Sequence, residues 1–206
     1  MEERKLSEKE SLELISQMIQ QTKKDSAIGS GELFLMWGYL CFFCSLATWA
    51  MVVFGGAGHD WLYWLMGALG LVAFAIVGRR CKKYQNMPAT YASKSIAIIW
   101  TCFFVLFASY GFFCFWNWEH AECWAGMLLL GLLLPGIGTF CTGVVLKEKA
   151  LMLCGGFGIG FGGSFLNYLC IHGGTSIAAH WPAMLVICAV VTLIIPGHIL
   201  NRKSKK

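Results

Sequence analysis

Ionisable side chains are scarce in this chain: Asp, Glu, Lys and Arg make up 13% of its 206 residues, and none lies deep inside its long apolar runs. Intramembrane charges mark proton relays, ion sites and substrate paths, so their absence disfavours a proton-coupled carrier. Recognisable catalytic patterns are lacking as well: there is no HExxH, no nucleophile elbow and no pair of intramembrane carboxylates. The stretches at 55–60, 117–123 and 172–181 contain no Lys or Arg. That last absence carries the orientation.

What is present is apolar. Hydrophobic residues make up 57% of the chain, with 24 Gly and 9 Trp, a composition far from that of a soluble domain. Runs long enough to cross about 30 Å of hydrocarbon as helices fall at 32–54, 61–78, 95–116, 124–146, 150–171 and 182–200. Helices must carry the crossings, because backbone exposed to lipid has to satisfy its own hydrogen bonds. The expected fold is all-α: a polytopic membrane protein with six transmembrane helices arranged as three hairpins, preceded by a cytoplasmic amphipathic helix. Residues 1–31 form that helix and a linker, 32–200 the six-helix domain and 201–206 a basic cytoplasmic tail.

With six spans, all sixteen Lys and Arg residues fall on one side. They sit in the N-terminal segment, in the loop from Arg79 to Lys94, at Lys147 and Lys149, and from Arg202 to Lys206. The positive-inside rule then puts both termini in the cytoplasm. The net charge of +5 is accounted for by topology and attraction to anionic headgroups, with no nucleic acid implied. The polar start of the chain lacks the pattern of a cleaved signal, so no processing is expected. The returning helices of the hairpins begin at Trp61 and Trp64, at Trp124 and at Trp181, which fits an aromatic belt. Trp124, Met127, Pro135 and Gly136 loosely echo Trp181, Met184, Pro196 and Gly197, too thinly for a transporter repeat.

Ser7 and Glu10 have capping-box spacing, and Leu12, Ile15, Met18 and Ile19 recur at helical intervals, predicting an amphipathic helix over 7–24. Its polar face is too acidic for a headgroup-bound helix, so these four residues are candidate partner contacts. The DSAIGSG stretch at 25–31 is expected to be a short flexible joint. The segment ESLELISQMIQQTKKD, followed by FLMWGYL, resembles the start of a group of short multi-span bacterial membrane proteins of uncharacterised activity. The resemblance covers the tail and first span. It implies a bacterial inner-membrane location and transfers no activity or site.

GGFGIGFGGS at 155–164 pairs Gly156 with Gly160 and Gly158 with Gly162, the spacing that lets helices approach closely. Packing within one protomer is the simpler use, and a homo-oligomer interface is the alternative. No strand precedes this run and no Lys follows it, so it is not a nucleotide loop. The clearest polar group within a span is Asn167, with Ser109, Tyr110, Thr139, Thr142, Ser164 and Thr192 in support. These side chains stitch helices together or line a pocket near Asn167.

His59, His120, His172 and His180 fall on the outer side, His120 beside Glu119, Glu122 and Cys123. His59, His120, Glu122, His172 and His180 are the candidate metal ligands, although spread over three loops without diagnostic spacing. Eight of ten cysteines lie inside spans, where Cys behaves as a small apolar residue. The CxxC of Cys41 and Cys44 has no redox context, and Cys123 is placed to bridge Cys114 or Cys170 only if the outer side oxidises. No cofactor is implied. The expected function is that of an accessory or regulatory membrane protein acting through contacts with a protein partner or itself. The alternative is a small transporter or channel component; a membrane enzyme using His120, Glu119 and Glu122 ranks third.

Overall fold

The computed structural model describes residues 8–54, 91–117, 119, 121–172 and 180–204, together with helical positions 72, 75, 76 and 79. Apart from residues 117, 119, 147 and 148, the described chain is helical, and it contains no strands among these residues. The elements are α1 (Glu8–Phe54), α2 (Tyr91–Trp116), α3 (Ala121–Leu146), α4 (Lys149–His172) and α5 (His180–Ala189). A π-helical turn (Val190–Ile194) then leads into α6 (Ile195–Ser204). Among the described residues four stretches are long and apolar enough to cross a membrane: Tyr91–Trp116, Ala125–Leu146, Lys149–His172 and Ala183–Lys203. A shorter apolar helix covers Gly31–Ala47 within α1. Most of the run at 61–78 lies outside the described residues.

The expected joint at 25–31 is a correction: α1 runs unbroken through it. No proline interrupts 8–54, and a Gly in a helix interior costs only about 1 kcal/mol relative to Ala, less than helix on both sides can carry. Gly31 is instead a packing position, since a Cβ there would lie 2.7 Å from the Asn201 Oδ1. Seven residues on, a Cβ at Gly38 would meet Ile194, and from the facing helix one at Gly197 would meet Leu35. Three glycines therefore let α1 lie close along the π turn and α6.

At the centre, α3 packs against α2 on one side and α4 on the other, with α5 and the π turn also in contact. The α3–α4 turn has the geometry of a Schellman cap. Glu148 donates its backbone N–H to the Gly143 carbonyl at 2.8 Å, and Lys147 to Val144 at 3.2 Å. Lys147 occupies the left-handed position, φ 57°, that glycine usually takes. Lys203 of α6 forms an ion pair with Glu148 at this turn.

Two apolar clusters hold the bundle. Near the Lys147 end, Phe34, Leu151, Leu193 and Leu200 join α1, α4, the π turn and α6. Nearer His172, Leu132, Phe165 and Cys188 join α3, α4 and α5. Between helices in lipid there is no hydrophobic drive, so close packing and hydrogen bonding hold such clusters together. Much of α2 is exposed, including Val105, Phe112, Phe113 and Trp116.

Candidate functional site

Buried polar groups converge on the junction between α5 and α6, where the helix passes through the π turn ahead of Pro196. Pro196 has no N–H, so the carbonyl four residues back, that of Thr192, loses its α-helical donor. Thr139 of α3 supplies the replacement: its Oγ1 donates to the Thr192 carbonyl oxygen at 2.7 Å. The π turn ends at Ile194, with only Ile195 before Pro196, and is closed by the Ile195 N–H bonding to the Val190 carbonyl. One extra residue per turn is thus accommodated where the proline removes a donor.

The remaining polar groups of the bend are also paired. Thr192 Oγ1 donates to the Cys188 carbonyl at 2.7 Å, and Cys188 Sγ lies 3.6 Å from the Leu132 carbonyl. One turn along α3, Thr142 Oγ1 donates to the Gly138 carbonyl at 2.7 Å and accepts the Trp100 Nε1 hydrogen at 3.2 Å. Trp100 in turn meets Phe34 edge-on, ring centroids 5.3 Å apart, which ties α1, α2 and α3 together. Thr139, Thr142 and Thr192 are all fully buried. Close backbone approach makes this possible: a Cβ at Gly136 would lie 2.6 Å from the Ile159 backbone nitrogen, and one at Gly158 would lie 2.7 Å from the Gly136 Cα.

Chemically, the seam is quiet. Each threonine hydroxyl hydrogen is committed to a backbone carbonyl, and no charged side chain shares these bonds. Such a network sets helix position, since leaving any member unpaired in a low-dielectric interior is costly.

The residues singled out from sequence distribute unevenly around this seam. Gly158 and Gly162 are buried against α3, where a Cβ at Gly162 would strike Leu133. Gly156 and Gly160 are exposed, with nothing within 4 Å of a Cβ. The polar set around Asn167 does not assemble: Asn167 is exposed, whereas Ser109 and Ser164 bond carbonyls of their own helices. Leu12 and Met18 are exposed on α1, which also carries Ile15 and Ile19. The side chains of Ile15 and Ile19 lie outside the described residues.

Of the candidate metal ligands, His59 and His120 fall outside the described residues, as do the side chains of Glu122 and His180. His172 is exposed and stacks on Tyr168, with centroids 4.5 Å apart. Among the described residues no group of three His, Cys, Asp or Glu is placed to hold a metal. Cys114, Cys123 and Cys170 are free thiols, and Cys114 Sγ donates to the Cys123 carbonyl at 3.1 Å instead of bridging its sulfur.

Three features of the site lay beyond sequence inspection: the π turn, Trp100 as the partner of Thr142, and a hydrogen bond of 3.1 Å between Tyr39 and His198 joining α1 to α6. Only the first had a visible signal, since Pro196 marks the Thr192 carbonyl as needing a donor. Comparison of the chain with protein-family models, with curated proteins and with solved structures gives no match.

Proposed function

We propose that this chain is an accessory or regulatory membrane protein that works through protein contacts made by the N-terminal part of α1. The supporting observation is the length of that helix. Its 47 residues, at 1.5 Å each, extend about 70 Å, more than twice the hydrocarbon thickness of a bilayer. From Gly31 onward it lies against α6 and the π turn; the 23 residues before Gly31 continue the same helix for about 35 Å. An unbroken arm of this kind, carrying Leu12 at 67% exposure, presents an apolar side chain at a defined distance from the bundle. The quiet polar seam supports the same reading, because a closed, fully bonded bend anchors the arm and offers no reacting group.

In this proposal the chain crosses a bacterial inner membrane six times as three hairpins, with the run at 61–78 supplying the second span. Both termini and the arm are cytoplasmic, on the side where the positive-inside rule places the basic residues. The test is purification from native membranes in mild detergent. A stoichiometric partner retained by the full chain, and lost on deletion of residues 1–24 or with Ile15→Glu and Ile19→Glu together, supports the proposal. Identical bound proteins with and without the arm would sink it.

A second reading, a small transporter or channel component, draws on the π turn beside Pro196, an irregularity of the kind frequent at functional sites. Saturable flux in proteoliposomes that Asn167→Leu abolishes would favour it.

A further inference from the structure

The glycines of α4 divide into two sets. Gly155 and Gly162 pack on α3, and Gly158 on α3 and Thr192 of the π turn, whereas Gly156, Gly160 and Gly163 meet nothing within 4 Å of a Cβ. The unused set belongs to a longer row. Leu153, Gly156, Gly160, Gly163, Asn167 and Cys170 are all exposed and succeed one another at alternating steps of three and four residues. That is the a/d seam of a coiled coil, with Leu153, Gly160 and Asn167 at a, and Gly156, Gly163 and Cys170 at d. Beside it runs an open apolar groove of about 690 Å³, floored by Gly156 and Gly160 and walled by Phe140, Phe157 and Phe161.

Asn167 singles out the occupant. It lies five residues before the end of α4, about 7.5 Å along the axis and within the apolar span, where an amide has no water to bond. Its side chain makes no hydrogen bond to the described residues and is exposed on the same face as the unused glycines. A helix covering this face must bring a donor and an acceptor to that depth and small residues to the depths of Gly156, Gly160 and Gly163. A second copy meets every requirement, because the membrane holds two copies parallel, each position then faces itself, and an amide carries both donor and acceptor. One Asn at an a position is the device that sets register and two-strandedness in parallel coiled coils.

We infer that α4 pairs with α4 of a second copy about a two-fold axis along the membrane normal, with Asn167 bonded to Asn167 across the axis. This deepens the proposal that the protein acts through protein contacts, and it concerns a face separate from the arm. Absent side chains at the glycines let the two backbones approach, and Phe157, 66% exposed at the neighbouring e position, closes over the seam.

The test uses full-length protein in lipid vesicles. Energy transfer between copies labelled at the C-terminus reads association, and copper–phenanthroline oxidation reads register, since facing Cys170 residues at d come within disulfide reach. The two thiols lose two protons and two electrons to the oxidant as the S–S bond forms. The expected result is transfer at a dimer ratio, reduced at least fivefold by Gly160→Leu or Asn167→Leu, and a covalent dimer lost with Cys170→Ser. Gly160→Leu adds a side chain where nothing stands, so an unchanged melting curve verifies that its protomer is intact. Monomeric transfer in the wild type overturns the inference, as does transfer that survives Gly160→Leu or a dimer band that survives Cys170→Ser. Transfer unaffected by deleting residues 1–24 separates a failure of this interface from a failure of the arm.

Discussion

Replacing Thr139 by Val removes one hydroxyl and nearly nothing else. The group is fully buried and donates to the Thr192 carbonyl at 2.7 Å, the carbonyl whose i+4 donor Pro196 removes. A buried acceptor left unpaired costs about 1–3 kcal/mol in proteins generally. Side-chain hydrogen bonds in membrane bundles average about 0.6 kcal/mol and reach about 1.7. Pro196 removes the i+4 donor of this carbonyl's own helix, so the bond belongs at the upper end, and Thr139→Val should destabilise by about 1–2 kcal/mol. A loss of that size is a factor of about 5–30 in the folding equilibrium. Thr139→Ser keeps the donor and should stay within about 0.5 kcal/mol of wild type once its lost methyl is counted. The decisive comparison is a cycle with Pro196→Ala, which returns an N–H to the Thr192 carbonyl. In that background Thr139→Val should cost about 1 kcal/mol less. Reversible unfolding in mixed micelles or by steric trapping measures all four proteins. The reasoning is refuted if Thr139→Val costs the same whether or not Pro196 is present, or if it costs less than about 0.3 kcal/mol.

Lys147→Gly should stabilise by up to about 1 kcal/mol in the same assay, because Lys147 holds a left-handed φ that costs L-residues about 1–2 kcal/mol and glycine does not incur this strain. A Cβ at Gly136 would press on the Ile159 backbone, which has no soft rotamer to yield, so Gly136→Ala should lose about 2–3 kcal/mol. Gly156→Ala, with open space around it, should stabilise by about 0.5–1 kcal/mol in monomeric micelles, the helix preference of Ala over Gly. Glu148→Gln should change stability by less than about 1 kcal/mol, an effect that fades with added salt, because both members of the Lys203–Glu148 pair are partly exposed.

How legible the fold was follows from which forces write themselves into local sequence. Long apolar runs announce helices directly, and the stretches from Tyr91, Ala125, Lys149 and Ala183 are helices in the structure. The small-residue spacing at 155–164 suggests a packing helix, but spacing alone cannot say which glycines face a neighbour. Only the fold shows Gly158 and Gly162 against α3 with Gly156 and Gly160 outside. The continuity of α1 through 25–31 was hidden because the small and polar residues of DSAIGSG read locally as a joint, and the use of Gly31 becomes plain only when α6 lies beside it. The Thr139–Thr192 bond was half visible: Pro196 identifies the bereft carbonyl, while its donor lies 53 residues away in sequence. Asn167 ranked first among polar groups by residue type, and exposure sets it apart from the buried threonines.

The central claim is that the arm of α1 holds a partner. Its most direct test is quantitative identification of everything bound to the full chain, and to the chain lacking residues 1–24, after mild solubilisation of native membranes. A partner in fixed ratio to the full chain and absent from the truncated one is expected, with both forms equally folded. A truncated chain that retains the same partner in the same ratio would contradict it.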